Sequence, residues 1–364
     1  MEIQTHEEQI WYLRDGSQIP GNRERTGKPR LLCADLLSSP ELYPTSIDFE
    51  RRMVVCVRMT PETYRDSVFL DNRTKHRGDE VRFRVDDVIF AARQVSSRRA
   101  HYILNTAYCC STLLARCFEL IPSCFVLKEP RALVQVANMM EAGDARWQIG
   151  FEVVHKLLTR TYHPDQLAVI KPYEPCNRLG MSLLKANSAA TVTYLMTPLR
   201  SFVLSILKQE ERRDWVRTRS ATALKDAAGF IPFAGLDAME LSSAQAAACV
   251  WMANRYLYRE LSSSFGERVL LVNGDELARS PRQAFGPILS LCGIHLSDNF
   301  LDEMFENPLL RQYSKDTQRP FDGDSREQQM SALERCWGAE ADAGVMWAYQ
   351  HGLSQLQVSE ETLF

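Results

Sequence analysis

From His101 onward, short apolar runs alternate with longer amphipathic ones. Tyr102–Asn105, Cys124–Leu127, Leu167–Ile170, Thr191–Met196 and Val269–Val272 are dominated by aliphatic and aromatic side chains. Runs this short and this apolar predict strands buried on both faces. The stretches between them place apolar residues at helical spacing, as Leu113, Leu114, Cys117 and Phe118 do within Ser111–Leu120. Helices are predicted over Ser111–Leu120, Arg131–Glu141, Arg146–Thr161, Leu179–Ala186, Pro198–Arg212 and Pro281–Cys292. Strands alternating with helices are repeated parallel crossovers, and each crossover lays a helix on the sheet. The expected fold is therefore α/β, with three layers and a mostly parallel central sheet of about five strands. In such sheets ligands bind beyond the carboxyl ends of the strands, so the informative residues follow each strand.

The first hundred residues have a different texture. Residues 1–45 carry Pro20, Gly21, Gly27, Pro29, Pro40 and Pro44 among mixed charges, and read as an irregular arm with one short element at Leu31–Leu37. Met53–Arg58 is expected as a strand, Pro61–Phe69 as a short helix, and Val81–Phe90 shows partial strand alternation. The division expected is an N-terminal arm and small accessory α+β unit over 1–98, and the main domain over 99–364. The compact turn from Phe69 to Arg73 either docks the unit on the main domain or reaches the acceptor cleft.

Composition narrows the function. A net charge of −3 offers no basic field for nucleic acid or an anionic membrane, so neither is expected as a partner. Ten cysteines are scattered without paired C-x-x-C spacing, and seven histidines show no H-E-x-x-H, so no metal site is expected. No apolar run reaches membrane-spanning length, and Met1–Trp11 is too polar for a signal peptide. Free thiols and a cytoplasmic location follow as expectations. Gly21–Lys28 imitates a Walker loop, but five residues separate its glycines and Pro29 stands where Ser or Thr belongs. No G-x-S-x-G elbow is present. Nothing signals the oligomeric state.

The chemistry gathers after the strands. Thr106-Ala107-Tyr108-Cys109-Cys110 runs directly into Ser111 and Thr112. A tight loop between a strand and a helix opening on two hydroxyl residues suits an anion, through free N–H groups and the helix dipole. The same residues also make an ordinary N-capped helix. Cys109 and Cys110 read either as thiols activated by the helix or as small residues that let the loop turn. Lys128-Glu129 follows the second strand; Glu129 suits a general base, or merely the dipole of the next helix. Lys171 ends the third strand, where an ammonium can neutralise a transferring group. Thr197, Arg200, Ser201 and Ser205 follow the fourth strand as a second anion site.

In this order the segments resemble the sulfotransferase family, in particular its divergent bacterial members and the heparan-type enzymes. The similarity spans roughly residues 100–350, through Thr106–Leu114, Lys128-Glu129, Lys171, Ser205, Arg268–Leu277 with Ser280-Pro281, and Tyr313-Ser314-Lys315. The resemblance implies a P-loop-type fold and the sulfuryl donor 3′-phosphoadenosine 5′-phosphosulfate. It implies that Thr106, Ala107, Tyr108, Cys109, Cys110, Ser111 and Thr112 hold the 5′-phosphosulfate. Arg200 and Ser205 would hold the 3′-phosphate, with Lys315 in the closing loop. Glu129 would be the catalytic base, with Lys171 and Lys128 stabilising charge, and a small molecule would supply the accepting hydroxyl or amine.

The chain departs from that pattern in three places. The loop carries no Lys, Arg or Gly, Thr197 stands where an Arg would precede Ser205, and Asp316 follows Lys315 in place of Gly. Arg116, one turn into the helix, is expected to face away or toward the sheet edge. The expectation is a sulfotransferase. The alternatives are a P-loop phosphotransferase, which lacks its Walker Lys and Asp here, and a non-catalytic relative serving as a scaffold.

Overall fold

A computed structural model of the chain describes residues 33–71, 80–96, 98–312 and 323–358. The strands run β1 (Leu42–Asp48), β2 (Met53–Arg58), β3 (Val81–Arg84), β4 (Ala100–Asn105), β5 (Cys124–Lys128), β6 (Leu167–Lys171), β7 (Thr191–Met196) and β8 (Val269–Asn273). β4 to β8 form one parallel sheet in the order β5-β6-β4-β7-β8. All six residues of β4 are buried, as a central strand covered on both faces requires. Its side chains alternate between two apolar cores. Tyr102 and Leu104 join one, and Ile103 joins the other. The second core is closed by the helices Ser111–Glu119 and Pro281–Cys292. The first is closed by Leu199–Leu207 and by the long helix Ser243–Phe265, which opens on a capping box from Ser242 and Gln245. The three-layer α/β arrangement is the one the apolar runs predict.

The N-terminal part differs in detail from its sequence pattern. β1, β2 and β3 form an antiparallel sheet. β1 lies partly within the expected irregular arm, and a register shift between Pro44 and Ser46 absorbs the proline. Only Val81–Arg84 of the expected strand is extended; Val85–Ala92 is helical, with Asp86 and Asp87 in its first turn. The element expected at Leu31–Leu37 is a short helix, Cys33–Ser38. Pro61–Asp66 is helical under a Thr60 cap. The small sheet shares the first core with the main sheet. Gln135 clamps it, accepting the Ile47 N–H at 2.8 Å and donating to the Ile47 carbonyl at 2.7 Å. The start of the turn after Phe69 touches the main domain. Leu70 donates to the Lys128 carbonyl at 2.7 Å, and Phe69 lines the main cavity. Gly21–Lys28 lies outside the described residues.

The predicted helix Pro198–Arg212 is two helices. Leu199–Leu207 ends at Lys208, Gln209 is extended, and Glu210–Asp226 begins a new direction. Among the described residues no helix is long and apolar enough to cross a membrane.

Two buried histidines give the fold an acid sensitivity. His101 on β4 shares a hydrogen bond with Thr191 Oγ1 at 2.8 Å, and burial pulls its pKa down to about 3. His155 is stacked on Phe151; burial, with help from Lys156, pulls it down to about 4. A depressed histidine contributes stability above its unfolded pKa of about 6.5, and that contribution fades as pH falls towards the folded value. Stability is expected to drop by about 1.4 kcal/mol per pH unit for each histidine as pH falls from its unfolded value towards its folded one. Urea midpoints at pH 7 and pH 5 test this, and equal midpoints would show that the folded chain protonates both rings.

Candidate active site

The strand order reverses at β4: the connection from β4 to β5 runs towards one edge of the sheet, and the connection from β6 to β7 crosses β4 towards the other. The crevice at such a switch point lies beyond the carboxyl ends of the strands. Here it holds the loop after β4, Lys171 at the end of β6, and a cavity of about 320 Å³.

The loop conformation is unusual for its composition. Ala107, Tyr108 and Cys110 have φ of 62°, 50° and 65°, left-handed values that cost each side-chain-bearing residue about 1–2 kcal/mol. The surroundings hold them there. Thr106 N–H donates to the Leu195 carbonyl at 3.2 Å, Ala107 N–H to Asn105 Oδ1 at 3.0 Å, and the Cys109 thiol to the Leu195 carbonyl at 3.3 Å. Gly274, which opens the helix after β8, lies so close that a Cβ there would sit 2.2 Å from the Cys109 carbonyl oxygen. The N–H groups of Tyr108, Cys110 and Thr112 have no acceptor among the described residues. Successive N–H groups in such a turn, ahead of the helix Ser111–Glu119, form an anion-binding concavity. Burial raises the Cys109 thiol and pushes Cys110 up to about 12, so both are thiols at neutral pH and serve the turn.

Cations reach the cavity from outside the loop. Arg116, Arg212 and Arg326 line it together with Lys171. Arg116 is among the lining residues, and its guanidinium donates to the carbonyls of Leu309 and Gln312 at 3.1 and 2.6 Å. Arg212 lies over the Tyr108 ring at 4.2 Å and donates to the Ser205 carbonyl at 2.8 Å. The break at Gln209 turns it back towards Ser205, seven residues earlier. Arg326 is paired with Asp275.

Glu129 stands opposite the loop with φ of 53°, its N–H donating to the Lys171 carbonyl at 2.6 Å. Its Oε1 accepts the Lys171 ammonium, which also lies over the Phe69 ring at 5.3 Å. Glu129 also lines a second cavity of about 820 Å³, with Asp71, Arg131, Gln135, Asn138 and Tyr173 among others. Glu129 thus lines both cavities, and its partner Lys171 lines the first.

Of the residues singled out in the sequence, Ala107 through Thr112, Glu129, Lys171 and Ser205 line the first cavity. Thr106 is buried behind the loop. Lys128 does not line the cavity; its ammonium is buried against Glu119 at 2.5 Å, with a further bond to the Arg65 carbonyl at 3.3 Å. Arg200 also lies off it, paired with Glu334 and with Asp342 at 3.1 Å. Lys315 lies outside the described residues. The sequence reading passed over Arg212, Arg326, Tyr173 and Trp215.

A buried polar network forms the floor. Arg219 donates to both oxygens of Glu174, at 2.6 and 3.0 Å, and to Asp226 at 2.7 Å. Asn254 donates to Glu174 at 2.8 Å, and Asn177 bridges Asn254 Oδ1 at 2.7 Å to the Asn105 carbonyl at 2.8 Å. Asn105 in turn donates to the Pro172 carbonyl at 3.3 Å. The ends of β4 and β6 are thereby held in register beneath the cavity.

No protein-family model and no curated protein matches the chain. Among solved structures it is similar to sulfotransferase STF9 from Mycobacterium avium, at 10% identity and a TM-score of 0.38, over 71% of this chain and 81% of that one. It is also similar to the sulfotransferase domain from the curacin biosynthetic pathway, at 13% identity and a TM-score of 0.35, over 58% and 78%. The sulfotransferase domain of the Synechococcus PCC 7002 olefin synthase is similar at 14% identity and a TM-score of 0.36, over 67% and 95%. Likeness of this degree carries no weight for the chemistry, which is read from the chain's own side chains.

Proposed function

We propose that this chain is a sulfotransferase that moves a sulfuryl group from 3′-phosphoadenosine 5′-phosphosulfate to a hydroxyl or amine of a small molecule. The observation that carries the reading is Glu129, which lines both cavities and is paired with Lys171 of the first. The first cavity suits an anionic donor. It offers the loop N–H groups, the hydroxyls of Ser111 and Thr112, and three arginines that stand in for the missing loop cation. The second cavity would take the acceptor. The acceptor oxygen or nitrogen bonds to sulfur as the bond from sulfur to the 5′-phosphate oxygen breaks. The acceptor proton passes to Glu129, and Lys171 offsets negative charge on the group in flight. Ser205 and Arg212 would hold the 3′-phosphate. Lys128 is assigned to holding Glu119 and the end of β5. The reaction needs positioning and electrostatics more than covalent catalysis.

Calorimetric titration with 3′-phosphoadenosine 5′-phosphate tests the donor, with ATP and magnesium as control. The nucleotide is expected to bind, and Ser111→Ala with Thr112→Ala to weaken it by about 10–100-fold, since a hydrogen bond to a charged group contributes about 1.5–3 kcal/mol. Folded protein that ignores the nucleotide would overturn the reading.

A further inference from the structure

Among the described residues, only Glu129 and Tyr173 line both cavities. The proposed reaction uses Glu129 and leaves Tyr173 without a role. Tyr173 follows Pro172 beyond β6, and its phenol oxygen accepts the Trp215 indole N–H at 2.8 Å. An indole nitrogen can only donate, so this bond uses a lone pair of Tyr173 and leaves its O–H proton to be given elsewhere. No acceptor among the described residues takes that proton. Trp215 is fixed in turn, its ring meeting Tyr108 edge-on at 5.5 Å and 86°. Burial raises the Tyr173 phenol, the Trp215 bond opposes this, and Glu174, Tyr108 and Glu129 add to the rise, so the hydroxyl keeps its proton near neutral pH.

Resting on the sulfuryl-transfer reading, we infer that Tyr173 is a catalytic hydrogen-bond donor at the seam between the two cavities. It gives its O–H to an oxygen of the group in flight, and Trp215 is the positioning residue that aims it. The phenol proton is shared and not transferred; the acceptor proton still goes to Glu129. A donor held in place before the reaction stabilises the transition state without having to reorganise. The chain Tyr108–Trp215–Tyr173 also ties the aim of this hydroxyl to the loop that cradles the donor.

The experiment compares the full chain with Tyr173→Phe, which keeps the ring, and Trp215→Phe, which keeps an aromatic edge but loses the N–H. Three quantities are measured: affinity for 3′-phosphoadenosine 5′-phosphate, release of radiolabelled sulfate from the donor with water as acceptor, and the Trp215 indole N–H resonance. Tyr173→Phe is expected to lower kcat about 10–100-fold, with the donor KM and the nucleotide affinity within about twofold of the parent. Trp215→Phe is expected to fall between the two. Adding sulfate to the nucleotide complex is expected to shift the Trp215 N–H signal in the parent and not in Tyr173→Phe. A parental kcat in Tyr173→Phe, or a loss of nucleotide affinity matching the loss of rate, overturns the inference and leaves the donor reading standing. Failure of the parent to bind the nucleotide overturns both.

Discussion

Replacing Glu129 with Gln is expected to lower sulfuryl transfer by about 10²–10⁴-fold, the usual contribution of a positioned general base. Nucleotide affinity is expected to stay the same or improve, because the two effects of the carboxylate have opposite signs. It accepts a proton during transfer, yet it repels the phosphates of the donor across the cavity both line. Its removal also frees Lys171, now held to Glu129 Oε1, to meet the anion. A collapsed site would lose rate and affinity together. Lost rate with retained or tighter affinity therefore separates chemistry from folding. The check is calorimetry with the product nucleotide beside a radiolabelled-donor assay over phenols, sugars and amines. Near-parental transfer by Glu129→Gln in that panel would exclude Glu129 as the base.

The elements of the main sheet were open to sequence reading for a definite reason. Strands of a parallel sheet are buried on both faces, so β4 to β8 appear as unbroken apolar runs, and the residues just after them mark the crevice. Glu129 and Lys171 were found that way, and the structure places them in contact. Lys128 shows where the method ends. It sits one residue before Glu129, but its partner Glu119 lies on the preceding helix, and no local pattern announces a buried pair of that kind. The left-handed loop is silent for another reason. Glycine is the usual signal of positive φ, and Ala107, Tyr108 and Cys110 adopt it under tertiary constraint instead. The arginines of the cavity come from one turn into a helix, from beyond a helix break and from the helix Gly323–Gln350. β1 was hidden by Pro44, whose cost the register shift absorbs.

Arg219→Met is expected to destabilise the chain by about 3–5 kcal/mol, the cost of leaving buried charge without its partner. Burial works against the charge on Arg219, and Glu174 and Asp226 outweigh it. Without the guanidinium, Glu174 keeps only the amide of Asn254, while Asp226 keeps Arg178 at 3.1 Å. Burial already raises Asp226 despite Arg219 and Arg178, and removing Arg219 raises it further. A carboxyl whose folded pKa is raised stabilises below its unfolded pKa and loses that contribution as pH climbs through the folded value. The deficit of the variant relative to the parent is therefore expected to grow from pH 5 to pH 8. The comparison cancels the buried histidines, which both proteins share. Urea midpoints at the two pH values measure it, and adding Glu174→Gln should recover part of the loss by removing one stranded charge. A deficit that does not change with pH, or no recovery in the double variant, would mean that Arg219 acts through its packing. The network's charges would then not be what holds β4 and β6 together beneath the site.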